Sequence, residues 1–250
     1  MLDMNKTVLV ITGCIKPNPN AFQLSLTDVN LRLQQYIDCI KWSIEFTRFL
    51  NIVFVDNSGY PIDNGLIEFA RKKGKKFEWL SFTGNEKMIA FCGKGYGEGE
   101  IIEYALKNSN LLKEASYFCK LTGRLKVDNI NQFINLADMN ETYFWTIGLN
   151  KLKKISSGVE TRFYGIPTKT YKDVFVDAYK DVDDKNGMWL EKVFYQRYKM
   201  TNIKCRRMAL YPDFSGQSGS MGIDYKTSKP MLMGKTLASA LGFYCPRKLQ

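Results

Sequence analysis

The chain has no histidine among its 250 residues. That excludes Ser-His and Cys-His catalytic pairs, and every histidine-containing zinc or non-haem iron site. If the protein is an enzyme, its general base must be Asp, Glu, Lys, Tyr or Cys. Six cysteines, at 14, 39, 92, 119, 205 and 245, include no C-x-x-C pair, which argues against a zinc ribbon or a thioredoxin-like site. Cys39, Cys92 and Cys119 lie in apolar runs and read as buried, reduced thiols of a cytosolic protein. Met1–Asn5 carries no basic-then-apolar leader, and Val8–Ile11 is far shorter than the ~18 residues of a membrane span. A cytoplasmic location is therefore expected.

Acidic residues run out toward the end of the chain. Residues 192–250 hold 11 Lys and Arg against only Asp213 and Asp224, a net of +9. The whole chain is +11, so the first 191 residues are nearly neutral. Basic residues there interleave with Phe214, Tyr225, Leu232, Leu237, Leu241, Phe243 and Tyr244. Such a pattern suits nucleic acid, a phosphorylated ligand or an anionic membrane surface. At 45% hydrophobic and 24% charged, the composition is that of a globular protein able to bury a sizeable core. There is no internal repeat, heptad run or linker, so one domain is expected.

Lys6–Thr12 is a β-branched run and reads as a buried strand. Thr27 or Asp28 can cap a helix whose apolar face recurs at Val29, Leu33, Tyr36, Ile37, Ile40 and Ile44. Ile52–Val55 is a second strand, ended by Asp56-Asn57-Ser58-Gly59. A helix over Asn64–Arg71 and a strand over Phe77–Leu80 follow. Gly93–Gly99 reads as a glycine-rich loop before a helix from about Glu100 to Leu112, and Ala115–Leu121 as a fourth strand. This alternation implies a mostly parallel sheet flanked by helices, an α/β fold. The second half is less regular. Thr142–Ile147 and Thr161–Tyr164 look like strands, and Thr168–Tyr179, Met188–Tyr198 and Leu237–Phe243 look like helices. Ser215–Gly222 reads as a small-residue loop.

In open α/β sheets, ligands bind beyond the carboxyl ends of the strands. Thr12-Gly13, Asp56-Asn57-Ser58, Gly93–Gly99 and Thr122-Gly123-Arg124 all fall there. Asp56-Asn57-Ser58 fits plain turn chemistry and also an acid for ribose hydroxyls. Glycines at 93, 95, 97 and 99 before a helix would let backbone N–H groups approach phosphate. Neither G-x-G-x-x-G nor G-x-x-x-x-G-K-[ST] is present. A methyltransferase-like G-x-G-x-G fits Gly93–Gly97, although that class places the loop after its first strand.

Together these segments resemble bacterial glycosyltransferases of the GT-A type over about residues 6–200. Val53-Phe54-Val55-Asp56-Asn57-Ser58 looks like their second strand, and Gly93–Glu100 with Ala105 like their glycine segment and helix. Tyr117–Arg124 falls where those enzymes place an Asp-x-Asp metal site. Its Lys120-Leu121-Thr122-Gly123-Arg124 looks like the Lys-x-Thr-Gly-Arg of capsule, lipopolysaccharide and O-antigen enzymes. The resemblance implies a GT-A-like, Rossmann-related domain over 1–200, with a C-terminal loop and basic tail over 201–250 packed on it. It implies transfer from a nucleotide-sugar donor to a saccharide or lipid-linked acceptor. Donor contacts would fall at Thr12, Asp56, Asn57, Ser58, Lys94, Gly95, Gly97, Lys120, Thr122, Gly123 and Arg124.

Asp-x-Asp is absent from this segment, and Lys120 and Arg124 stand in its place. Fixed cations can neutralise a departing diphosphate as a metal does. The expectation is a metal-independent, cofactor-free enzyme in which Lys120, Arg124 and Arg162 take that role. An inverting reaction needs a carboxylate base, and the resemblance implies one late in the domain. The candidates are Asp181, Asp183, Asp184 and Glu191, with Glu191 and Asp184 preferred; Glu191 sits among apolar residues that can raise its pKa. Asp138 is a candidate for acceptor or sugar contact. Ser218, Gly219 and Ser220 could close over the diphosphate. The basic tail fits a lipid diphosphate acceptor and peripheral association at the inner face of the cytoplasmic membrane. No nucleic-acid partner is expected. The alternatives are an S-adenosylmethionine-dependent methyltransferase and a basic nucleic-acid-binding protein.

Overall fold

The computed structural model describes residues 1–18, 26–147, 158–217 and 224–247. Strand β1 (Thr7–Gly13) is buried along its whole length. Leu9 and Ile11 enter one apolar core and Val8 and Val10 the other, as the two-residue period of a strand demands. Both faces are covered, which is why the run is continuously apolar. Helix α1 (Val29–Phe46) is capped by Asp28, whose carboxylate accepts from Leu31 N at 3.0 Å, and it buries Tyr36, Cys39, Ile40 and Ile44.

Strand β2 (Asn51–Asp56), helix α2 (Asn64–Lys72), strand β3 (Lys76–Ser81) and helix α3 (Glu86–Cys92) follow. Next come α4 (Lys94–Asn108), α5 (Asn110–Glu114), β4 (Tyr117–Thr122), β5 (Leu125–Val127) and α6 (Ile130–Leu136). The remainder is β6 (Phe163–Pro167), α7 (Thr168–Val174), α8 (Leu190–Lys199), β7 (Phe214–Gln217), β8 (Asp224–Tyr225) and α9 (Lys229–Ala240). The main sheet has the order β3-β2-β1-β4-β6, parallel except for β6, which runs antiparallel to β4. A small antiparallel sheet, β5-β7-β8, adjoins it. The α/β class and the mostly parallel, helix-flanked sheet read from the sequence are those of the structure.

Local expectations are corrected in several places. Gly93–Gly99 is not a loop: α4 starts at Lys94, and only Gly93, with a φ of 107°, is the hinge between α3 and α4. The glycines inside α4 allow close packing. A Cβ on Gly99 would collide with Tyr179, and one on Gly95 would meet Leu190 and Val182 at 3.1 Å. Tertiary contact thus overrides the poor helix propensity of glycine. Thr142–Ile147 forms isolated bridges, such as Tyr143 with Gly165, instead of a strand. Helix α7 stops at Val174, and Ala178–Asp181 is a separate 3-10 turn. Ser215–Gln217 belongs to β7, and α9 begins eight residues before the expected Leu237.

Candidate functional site

A cleft of about 150 Å³ opens where β1, β2 and β4 end. Thr12, Gly13, Asn57, Ser58 and Thr122 line it from the strand ends, with Lys16 and Asn18 from the loop after β1. Lys94, Gly97, Glu98 and Ile101 line it from α4. Their spacing of three and four residues marks one helical face.

Asp56 builds this cleft without lining it. It is fully buried, and its carboxylate accepts from Ile15 N at 2.7 Å, Ser58 N at 2.9 Å and Tyr60 N at 3.0 Å. The ribose-binding role expected for it is therefore corrected: its lone pairs hold two loops together. Asn57 remains in the lining. Its Nδ2 donates to Gly97 O at 3.4 Å, while its buried Oδ1 has no partner among the described residues. Arg32 donates to Cys14 O at 2.9 Å and Leu26 O at 3.0 Å, fixing the wall behind β1.

Lys120 lies under the cleft and is fully buried. Its ammonium donates to Thr122 Oγ1 at 2.7 Å, to Thr161 O at 2.6 Å and to the Glu98 carboxylate. An ammonium has three protons, and all three are used. The expectation that Lys120 meets a diphosphate is overturned; it neutralises Glu98. Arg124 is also drawn inward, with a φ of 70° and 8% of its surface exposed. It donates to Gln35 Oε1 at 3.2 Å, stacks over Tyr36, and leaves a buried Nε without a partner among the described residues. Gly123 serves the same tight turn: its N–H donates to Thr12 O at 2.8 Å. Arg162 is corrected as well. Its guanidinium clasps Glu160 and lies 4.3 Å from the Phe214 ring centre and 4.7 Å from that of Tyr225.

Asp184 caps α4 from a distance: its carboxylate accepts from Gly95 N at 3.3 Å. That bond takes the Gly95 amide expected to face phosphate, and it gives Asp184 a cap's work in place of a base's. Burial raises the Asp184 pKa, against the Gly95 N–H and the Lys94 charge. Burial pushes the Lys94 ammonium below its usual value; Asp184 and Glu191 oppose that, while Arg124 and Arg32 add to it.

Glu191 stands in the first turn of α8 and accepts from Thr161 Oγ1 at 2.9 Å. Burial, and next the negative charge of Glu98, push its pKa up to about 7. Glu98 on the cleft wall and Lys120, Thr161 and Glu191 beneath it thus form one connected polar group. Asp138 is remote from it. Asp138 accepts from Asn140 N in a turn whose Met139 touches Thr7, the amino end of β1. Seven strand residues, roughly 20 Å, separate that end from the cleft. Ser218, Gly219 and Ser220 lie outside the described residues.

Sequence reasoning missed Glu98, Thr161 and Lys16. Glu98 had a signal: it is four residues after Lys94, so reading the segment as a helix puts both on one face. Thr161 had none, because its neighbours come from β4 and α8. Among the described residues, no three Cys, Asp or Glu side chains converge as a metal-binding group.

No family model matches the chain, and no curated protein matches it. Several solved structures do. The glycosyltransferase GlyE of Streptococcus pneumoniae aligns at 10% identity and a TM-score of 0.42, over 72% of this chain and 37% of GlyE. S. aureus TarS 1-349, solved in complex with UDP, aligns at 10% identity and a TM-score of 0.45, over 94% of this chain and 64% of that one. A cytidylyltransferase from Leptospira borgpetersenii aligns at 14% identity and a TM-score of 0.34, over 67% of this chain and 63% of that one. This chain therefore spans about a third of the length of GlyE and somewhat under two thirds of the other two.

Proposed function

We propose that this chain is a nucleotide-sugar-dependent glycosyltransferase that works without a metal ion. The observation that carries the reading is the cleft itself. It lies at the carboxyl ends of parallel strands, with Lys16, Lys94 and Asn57 on its walls. Lys94 and Lys16 face the diphosphate and offset the charge that develops as it leaves. The Thr122 hydroxyl, which already accepts from Lys120, donates its proton to the donor. Glu98 accepts from hydroxyls of the transferred sugar.

The acceptor hydroxyl attacks the anomeric carbon as its bond to the diphosphate oxygen breaks, and a carboxylate takes the hydroxyl proton. Glu191 is assigned that proton, because a carboxylate titrating near 7 is matched to the task. The outcome is inversion at the anomeric carbon. A second reading gives the proton to Glu98, which lines the cleft where Glu191 does not. The two separate in the pH profile: Glu191→Gln removes a rising limb near pH 7 under the first and leaves it under the second. The acceptor is a saccharide or a lipid-linked saccharide of bacterial surface polysaccharide synthesis, reached by peripheral association at a membrane. The +9 charge of residues 192–250 supports that part.

The test is a thermal-shift panel of UDP, GDP, CMP, S-adenosylmethionine and NAD, with and without EDTA. A nucleoside diphosphate should raise the melting temperature, through binding to the native state, and EDTA should not abolish the rise. Stabilisation by S-adenosylmethionine alone would overturn the reading in favour of a methyltransferase. The helical state of Gly93–Gly99 weighs against that class, whose phosphate-type loop the segment does not form.

A further inference from the structure

We propose that α9 docks this chain on an anionic lipid bilayer, with its apolar face entering the boundary between headgroups and acyl chains. Amphipathic helices of soluble proteins turn their apolar side inward. Helix α9 does the reverse. Ser239 is buried, Thr236 accepts from Tyr211 N at 3.4 Å, the Lys235 ammonium lies over the Tyr211 ring and Ala238 packs on the core, so small and polar side chains make most of its contact with the body. Met233, Leu237 and Leu241, spaced four residues apart on one stripe, are 73%, 64% and 58% exposed. Met231 is exposed as well, on a different side of the helix, because two residues turn it about 200° from Met233. Among the described residues nothing covers this stripe.

The charge around it selects the partner. No acidic residue follows Asp224 in the sequence. Lys226 and Lys229 are exposed at the start of α9, and exposed Arg207 packs at Gly242, just past its end. A second copy of the chain would set these cations against each other. A nucleic acid would leave the Met and Leu stripe without a use. An anionic bilayer meets both, with phosphates for the lysines and acyl chains for the stripe. Among the described residues no helix is long and apolar enough to cross a membrane, so α9 lies on the surface.

This inference deepens the membrane-side part of the proposed function by assigning its surface. The test is flotation of the full chain with vesicles of phosphatidylcholine alone or with added phosphatidylglycerol. The wild type should float only with the anionic vesicles, and less at high salt. The double variant M233E/L237E should lose at least about tenfold in binding, while K226E/K229E should lose the preference for anionic lipid. Unchanged melting temperatures check folding, since all four positions are exposed or at the helix start.

Undiminished flotation of M233E/L237E would overturn the role of α9 and leave an electrostatic membrane association standing. A wild type that floats with neither vesicle would overturn both. A dimer in sedimentation that M233E/L237E converts to monomer would overturn the lipid assignment in favour of a second copy. Nucleotide thermal shifts on the same preparations report on the sugar-transfer reading separately.

Discussion

Replacing Glu191 by Gln tests the polar group beneath the cleft. The wild-type carboxyl accepts from Thr161 Oγ1, and Gln retains an oxygen able to accept the same bond. What the substitution removes is the charge. In the folded protein the carboxyl titrates at about 7 against an ordinary 4.5. Between those values the native state keeps a proton that the unfolded chain has lost, so stability falls as pH rises. Below the ordinary value both states are protonated and the contribution is fully present. Above about 7 both are ionised, and the burial cost is fully felt. At ~1.4 kcal/mol per pH unit, the loss across the window is at most about 3.5 kcal/mol, and about 1–2 kcal/mol once partial solvent access is counted. Urea unfolding of wild type and Glu191→Gln from pH 4 to pH 8 reads it. The variant should gain stability over the wild type as pH rises, and the gap should level off above neutrality. A gap that stays constant with pH would refute the assignment of a half-buried, proton-holding Glu191.

Three other outcomes are expected. Lys120→Met leaves Glu98 facing the buried floor without its cation and should cost about 3 kcal/mol in urea unfolding; adding Glu98→Gln should restore part of it. Lys94→Ala should weaken nucleoside diphosphate binding about tenfold by calorimetry while leaving the melting temperature of the free protein within a few degrees. Gly99→Ala should destabilise by about 1–3 kcal/mol, because the added methyl meets Tyr179 at the contact between α4 and the Ala178–Asp181 turn.

Much of the first half of the fold was legible in order along the chain. The β-branched run at Thr7–Gly13, the three-and-four spacing of α1 and the turn after Asp56 each carry a local signal. Asp28 caps α1 as its residue type suggests. The second half gave weaker signals, because Thr142–Ile147 is held by single bridges to distant residues and not by a repeating ladder. Of the residues expected at the strand ends and on α4, Thr12, Asn57, Ser58, Lys94, Gly97 and Thr122 line the cleft. The work of the charged residues was not legible.

Sequence alone determined the alternating β/α order, the absence of histidine chemistry and the concentration of positive charge in the last quarter. Tertiary structure decided which charges face solvent or ligand. Lys120 loses its three donors to Glu98, Thr122 and Thr161, the last of them 41 residues away. Arg162 is taken by Glu160 between two aromatic rings brought in by β7 and β8. Asp56 and Asp184 spend their carboxylates on backbone N–H groups. A charged side chain entering a packed interior must find partners there, and those partners come from strands and helices remote in the chain. Composition and spacing can therefore reveal that charges exist and which elements carry them, but only the packed fold decides which of them remain available for chemistry.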